Sequence, residues 1–282
     1  PPIKRGMRKD DNQRLFIHPE ICEGCGDCSL QSNCVAIEPI DTPLGQKRTI
    51  NQSNCNTDFS CLKGFCPSFV SLIGATPSKN HMNQPVSEPC SHPEPDWENT
   101  AIHNMIVTGV GGTGVLTISA ICATAAHLDG LYVATSDVSG LAQKGGAVTS
   151  ALKFSRDVAI ETGRILPGSA DSFMACDIVT ATSSDMLQQI DKQRTCVIAN
   201  SNIVPTKDFI FSKGEKGLKS DPERISFLDG QSKIIDCIPA EELSQDHFGD
   251  GMFTNMIMLG AAWQTGCRTA VIWRHHARDK AQ

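Results

Sequence analysis

Residues 22–28 read Cys-Glu-Gly-Cys-Gly-Asp-Cys, placing Cys22, Cys25 and Cys28 at two-residue intervals on one short loop. Such spacing wraps a loop round a cubane iron–sulfur cluster, so that three thiolates reach three irons. Zinc instead prefers two separated pairs arranged as a tetrahedron. Gly24 and Gly26 allow the tight backbone, and their amides can donate to cluster sulfurs. The fourth ligand must come from elsewhere. In two-cluster ferredoxins, the cysteine preceding a proline serves the cluster held by the other motif. Cys66, followed by Pro67, fits that role. Cys22, Cys25, Cys28 and Cys66 are therefore expected to form one complete 4Fe-4S site.

An imperfect second copy follows. Cys55, Asp58 and Cys61 repeat the spacing with aspartate in the middle, and Cys34 stands where an exchanged fourth ligand would come from. Cys34 and Cys66 lie slightly farther from their triplets than in the standard run. Three thiolates and one carboxylate make a second 4Fe-4S or 3Fe-4S site the expectation here.

The chain holds 13 cysteines. Seven fall between Cys22 and Cys66, and the rest, from Cys90 to Cys267, are scattered singly. A disulfide scaffold is typically short and secreted. No basic-then-apolar leader opens this chain, so a reducing, cytoplasmic setting is expected. No apolar run reaches the ~18 residues of a membrane span. The net charge of -6 argues against a nucleic-acid partner. At 282 residues two domains are expected, and the opening Pro1 suggests a piece of a longer protein.

Composition divides the chain into a cysteine module (1–76), a proline-rich linker (77–101) and a longer domain (102–282). The module carries strand-like pieces at Arg14–Ile17, Val35–Ile40 and Arg48–Ile50. Cys90 has no partner at ligand spacing and is read as incidental. Beyond the linker, Met105–Gly109, Leu131–Thr135, Ala147–Phe154, Asp177–Thr182, Thr195–Ala199 and Ile234–Ile238 read as strands. Thr113–His127, Ser184–Gln193, Ala240–Gln245 and Met252–Gln264 read as helices, with Gly130 as a stop. Lys213–Ser220 is expected to be an exposed loop. This alternation predicts an α/β, Rossmann-like domain with a mainly parallel sheet; the cysteine module before it is expected to be α+β and ferredoxin-like. The Met252, Met256 and Leu259 stripe reads as core packing.

Gly109-Val-Gly-Gly-Thr-Gly114 follows a strand and opens a helix, which satisfies the G-x-G-x-x-G spacing. Gly109, Gly111, Gly112 and Gly114 are therefore candidate cofactor-binding residues, with Asp137 as a ribose-binding acid. A loop that only packs strand on helix is the competing reading. Gln143 and Lys144, between glycines, are further candidates facing a cofactor or a neighbouring domain.

Together with the glycine loop, Ser139-Gly-Leu-Ala-Gln-Lys-Gly-Gly-Ala-Val-Thr-Ser150 resembles the gamma-type domain of the 2-oxoacid:ferredoxin oxidoreductases. The cysteine module, through Ser-Cys61-Leu-Lys-Gly-Phe-Cys66-Pro, resembles the ferredoxin-type insert of the same family. Their order is similar to that of the fused indolepyruvate ferredoxin oxidoreductases. The resemblance spans roughly residues 14–265. It implies an enzyme that uses thiamine diphosphate and magnesium to decarboxylate a 2-oxoacid, relays electrons through clusters to ferredoxin, and acylates coenzyme A.

In the fused members the thiamine-binding halves precede the cysteine module, and these residues do not include them. Gly249-Asp-Gly251 mimics the start of a diphosphate-binding motif, but that motif needs asparagines roughly 30 residues on and the last asparagine is Asn255. No catalytic residue is assigned. The expected partners are ferredoxin and a thiamine-binding portion or subunit, within an oligomer. After Gly266 the sequence departs from the family, as a truncated or frame-disrupted end would, and His275 and His276 read as an exposed tail. Two alternatives stay open: an NAD-linked iron–sulfur oxidoreductase and a non-enzymatic electron carrier.

Overall fold

A computed structural model describes residues 12–34, 36–74, 101–139, 146–202 and 221–265. They form two compact units, the first built mainly on residues 12–74 and the second mainly on residues from 101 onward.

The first unit runs β1 (Gln13–Ile17), α1 (Asp27–Ser32), β2 (Ile37–Thr42), β3 (Gly45–Ile50), a 3-10 turn (Ser60–Lys63) and β4 (Phe69–Ile73). β2 and β3 form an antiparallel hairpin, Thr42 opposite Gly45. Gly45 closes its turn at φ +91°, a conformation open to glycine. β1 pairs antiparallel with β4, which sequence patterning does not reveal. Each half thus runs strand, cysteine loop, short helix, strand, and the halves interlock through the outer pair. Leu15, Ile17, Ile37 and Ile50 make the core, with Cys22 and Cys61 buried among them. The loops are thereby fixed to this apolar core.

The second unit is a three-layer α/β domain. Its strands are β5 (Ile102–Val110), β6 (Tyr132–Ser139), β7 (Ala147–Ser155), β8 (Ser172–Ala175), β9 (Cys196–Asn200) and β10 (Ile234–Ile238), in spatial order β10-β9-β8-β5-β7-β6. Helices α2 (Val115–Leu128), α3 (Ile178–Ala181), α4 (Ser184–Leu187), α5 (Asp221–Gln231), α6 (Ala240–Phe248) and α7 (Thr254–Gln264) accompany them.

Alternate residues of the central strands feed two cores. Met105, Val107, Met174 and Ile198 pack with Ile118, Cys122 and Met258 on one face. Ile106, Phe173, Val197 and Ala199 pack with Ile178 and Leu228 on the other. Covered on both faces, these strands read as near-continuous apolar runs. Each fully buried Leu, Ile or Phe contributes roughly 1.5–3 kcal/mol.

The sheet is mixed, with three of its five strand pairings parallel. β5, β8, β9 and β10 pair in parallel, while β7 runs antiparallel between β5 and β6. The reason is chain length. Only residues 140–146 join β6 to β7, and a parallel return needs a crossover of a dozen or more.

Other expectations shift. Asp177–Thr182 is not a strand: the strand lies upstream at β8, and α3 follows it. Asp177 caps that helix, its carboxylate accepting the Thr180 N–H at 2.7 Å, and local capping overrides the β-branched run. The helix expected over Ser184–Gln193 stops at Leu187, and the chain turns where Asp191 accepts the Gln193 N–H at 2.8 Å. α5, largely polar, was not anticipated. In α7 the buried face is Asn255, Met258, Leu259 and Ala262, whereas Met256 on the helix and Met252 just before it are exposed. The linker residues 77–100, the Lys213–Ser220 loop and the tail from Gly266 lie outside the described residues.

Candidate functional site

In the first unit the two cysteine loops adopt the same backbone. Gly24 and Gly26 lie at φ +72° and +78°, and their counterparts Thr57 and Phe59 at +53° and +56°. Left-handed backbone is uncommon away from glycine and strained for a β-branched residue such as Thr57. Two instances flanking one residue of a single loop mean that the surroundings impose this shape. The curl turns amides inward: Gly24 N–H donates to Cys22 Sγ at 3.4 Å, and Thr57 N–H donates to Cys55 Sγ at 3.4 Å. Each loop then enters a helical turn that carries its third cysteine, Cys28 in α1 and Cys61 in the 3-10 turn.

The electrostatics sort the ligand candidates into two sets. Burial raises the Cys28 thiol, and nearby Cys66 and Cys22 raise it further. Burial likewise raises Cys34, with Cys55 and Asp58 adding to the effect. Cys61 is pushed up to about 11 by burial, reinforced by Cys34, Cys55 and Asp58. Cys28 thus lies near Cys22 and Cys66, while Cys34 and Cys61 lie near each other and near Cys55 and Asp58. Cys25 and Asp58, at equivalent positions in their loops, are both exposed. Asp58 Oδ1 accepts two bonds from Ser60, from N–H at 3.1 Å and from Oγ at 2.8 Å.

All cysteines among the described residues are free thiols. Among those residues no group of three or more His, Cys, Asp or Glu is arranged to hold a single metal ion. Thiolates round a cubane each take a different iron, so they stand wider apart than ligands chelating one ion. The donor set is soft sulfur with amide N–H groups aimed at it, and this chemistry fits an iron–sulfur cluster.

The glycine loop in the second unit is built for close packing. A Cβ on Gly109 would meet Val115 Cγ2 at 2.8 Å and Cys176 Cβ at 3.1 Å, so α2 rests directly on the strand end. Gly112 and Gly114 lie at φ +91° and +101°. Gly111 N–H donates to the Gly146 carbonyl at 2.7 Å, tying the loop to the start of β7. Asn255 Nδ2 donates to the Thr113 carbonyl at 2.7 Å and clips it to α7.

A dinucleotide unit places the strand after the helix beside the first, with its acid reaching the ribose. Here β7 intervenes, and Asp137 on β6 is engaged otherwise. Its Oδ1 accepts the Ser150 hydroxyl at 2.5 Å, and Ser150 Oγ lies 2.5 Å from Ser119 Oγ beneath α2. Gln143 and Lys144, like Cys90, lie outside the described residues.

Sequence reasoning missed Thr57, Phe59 and Ser60. Superposing the two cysteine triplets would have flagged Thr57 and Phe59, because they fall where the first copy has glycine.

Residues 104–278 match the family described as pyruvate ferredoxin/flavodoxin oxidoreductase, which leaves the cysteine module outside the match. The chain is 29% identical over 164 residues to the indolepyruvate oxidoreductase subunit IorB of Methanothermobacter thermautotrophicus, covering 58% of this chain and 79% of that subunit. It is 32% identical over 157 residues to the IorB subunit of Archaeoglobus fulgidus, covering 56% of this chain and 74% of the relative. Among solved structures it is similar to the pyruvate oxidoreductase subunit PORC of Thermotoga maritima. That similarity has a TM-score of 0.40 and 12% identity, over 61% of this chain and 94% of that one.

Proposed function

The chain belongs to the pyruvate ferredoxin/flavodoxin oxidoreductase family, and from that premise we propose that it is the electron-relay and gamma-type portion of an indolepyruvate-type 2-oxoacid:ferredoxin oxidoreductase. One observation carries the reading: two groups of neighbouring cysteines, one around Cys28 and one around Cys34 and Cys61, stand on the same chain as the family domain.

In this reading residues 12–74 are a ferredoxin-type module. Cys22, Cys25, Cys28 and Cys66 hold one 4Fe-4S cluster, and Cys34, Cys55, Cys61 and Asp58 form the second site. When bound, such clusters supply one-electron transfer at potentials set by their ligands and hydrogen bonds. The Gly24 and Thr57 amides donate to ligand sulfurs, which favours added negative charge and tunes those potentials. Burial of Cys22 and Cys61 keeps water from the inner side of each site. Free thiols fit a reducing, cytoplasmic setting.

No side chain of this chain is assigned to bond breaking. Decarboxylation belongs to a thiamine-binding portion or subunit that also holds magnesium, with coenzyme A as acyl acceptor and ferredoxin as electron acceptor. The glycine loop serves as a packing corner of the gamma-type domain, with Gly111, Gly112 and Gly114 at the face offered to a neighbouring domain or to coenzyme A.

The test is metal and sulfide analysis of the full chain produced anaerobically. A brown, oxygen-sensitive protein holding iron and acid-labile sulfide is expected. About one zinc per chain with no sulfide overturns the proposal.

A further inference from the structure

We propose that Ser60 is a positioning residue that holds Asp58 as the outer ligand of the second cluster site, making one iron there exchangeable. This inference rests on reading the cysteine module as cluster-binding.

Two independent features converge on this corner. The first is position. Asp58 stands in its loop where Cys25 stands in the other, between the same pair of left-handed residues, and both are exposed. The second is orientation. A free aspartate on an exposed loop samples several rotamers, but two Ser60 donors converge on Asp58 Oδ1, at 2.8 and 3.1 Å. That clamp fixes the carboxylate before any iron arrives, which removes an entropic cost of ligation.

Oxygen is a harder ligand than thiolate and holds iron in such clusters less firmly. The iron facing Asp58 should therefore leave and return while Cys34, Cys55 and Cys61 keep the other three. Loss of Fe2+ from a [4Fe-4S]2+ cluster leaves [3Fe-4S]0. Ferricyanide removes one electron from that product to give [3Fe-4S]+, which electron paramagnetic resonance detects. The first site, with thiolate at the matching corner, should resist this conversion.

The experiment uses the full chain with reconstituted clusters, oxidised by ferricyanide, reduced with dithionite and titrated with Fe2+. Ser60→Ala should weaken rebinding of Fe2+ at the second site by about 10- to 100-fold, the usual effect of losing a partner that orients a ligand. The first-site signal should be unchanged. Asp58→Asn keeps an oxygen acceptor for the Ser60 donors but removes the anionic ligand, so it should hold the second site in the three-iron form. Asp58→Cys should give a stable four-iron cluster that no longer responds to Ser60→Ala.

If Asp58→Asn and Ser60→Ala rebind Fe2+ like the unaltered protein, Asp58 merely caps the 3-10 turn and the inference fails. A single all-cysteine cluster per chain overturns it as well, while leaving the first site's assignment intact. Absence of iron and sulfide from every variant instead brings down the reading of the module itself.

Discussion

Gly24 and Thr57 share a left-handed backbone, at φ +72° and +53°, and each donates its N–H at 3.4 Å to the sulfur of the cysteine two residues before it. One site meets the conformation with glycine and the other with a β-branched residue. The shape therefore belongs to the site rather than to the residue that occupies it.

That relationship predicts unequal responses to substitution. Gly24→Ala adds a Cβ at positive φ and drives it into the backbone carbonyl of Gln46. The cost should be about 1–3 kcal/mol, with loss of iron from the first site. Thr57→Gly relaxes the second loop and should leave the iron content as it was. Iron analysis with resonance spectra of both variants checks this, and full iron retention by Gly24→Ala would show that the loop shape is not required.

The glycine loop predicts a packing defect without a ligand effect. Gly109→Ala forces a methyl between Val115 and Cys176 and should lower unfolding stability by about 1–3 kcal/mol. NADH should give no saturable heat on titration into the unaltered chain. Tight NADH binding that Gly111→Val abolishes would restore the dinucleotide reading.

Asp171, only 2% exposed, is held by Arg194 through bonds of 2.7 and 2.9 Å and by the Asn104 N–H at 2.8 Å. Arg194→Ala should destabilise the second unit by about 1–3 kcal/mol, because a buried carboxylate loses its charged partner while keeping an amide. Arg194→Lys keeps the charge but not the fork, so it should recover only part of the loss in a urea titration.

Burial pushes the Cys122 and Cys176 thiols from the ordinary 9.0 up to about 12. Cys176 also feels the Asp177 charge. A raised thiol favours the protonated folded state. Its contribution is therefore fully present below pH 9 and drains away as pH climbs towards 12. Cys122→Ala should flatten this alkaline fall in stability. An identical slope in the variant and the parent protein would contradict the assignment.

Activity should need more than these residues. The chain alone is expected not to decarboxylate indolepyruvate or pyruvate, and to pass electrons to viologen only when a thiamine-binding portion is supplied. Turnover by the chain alone would mean that a catalytic site lies within these residues unrecognised.

Much of this was legible in the sequence because it is decided over a few residues. Cysteine spacing sets an expectation for the chemistry of a loop without knowing where the loop goes. Ile234–Ile238 and Thr195–Ala199 read as strands because their apolar runs are short and unbroken, and strands form there. The helix before Gly130 read clearly for the same reason.

What only the tertiary structure decided is long-range. Whether Cys66 stands with Cys22 and Cys28 depends on where β4 returns, and β4 is defined by pairing with β1 across most of the module. The place of β7 between β5 and β6 follows from strand pairing and a short connection, neither visible in the alternation of ten residues. Asp177 looked like part of a strand until its carboxylate found the Thr180 amide. Met252 and Met256 shared a helical stripe with Leu259, yet the neighbours of α7 chose the face through Asn255, Met258 and Ala262. Local propensity sets which conformations a segment can adopt. Burial against partners distant in sequence, each worth a few kcal/mol, selects among them.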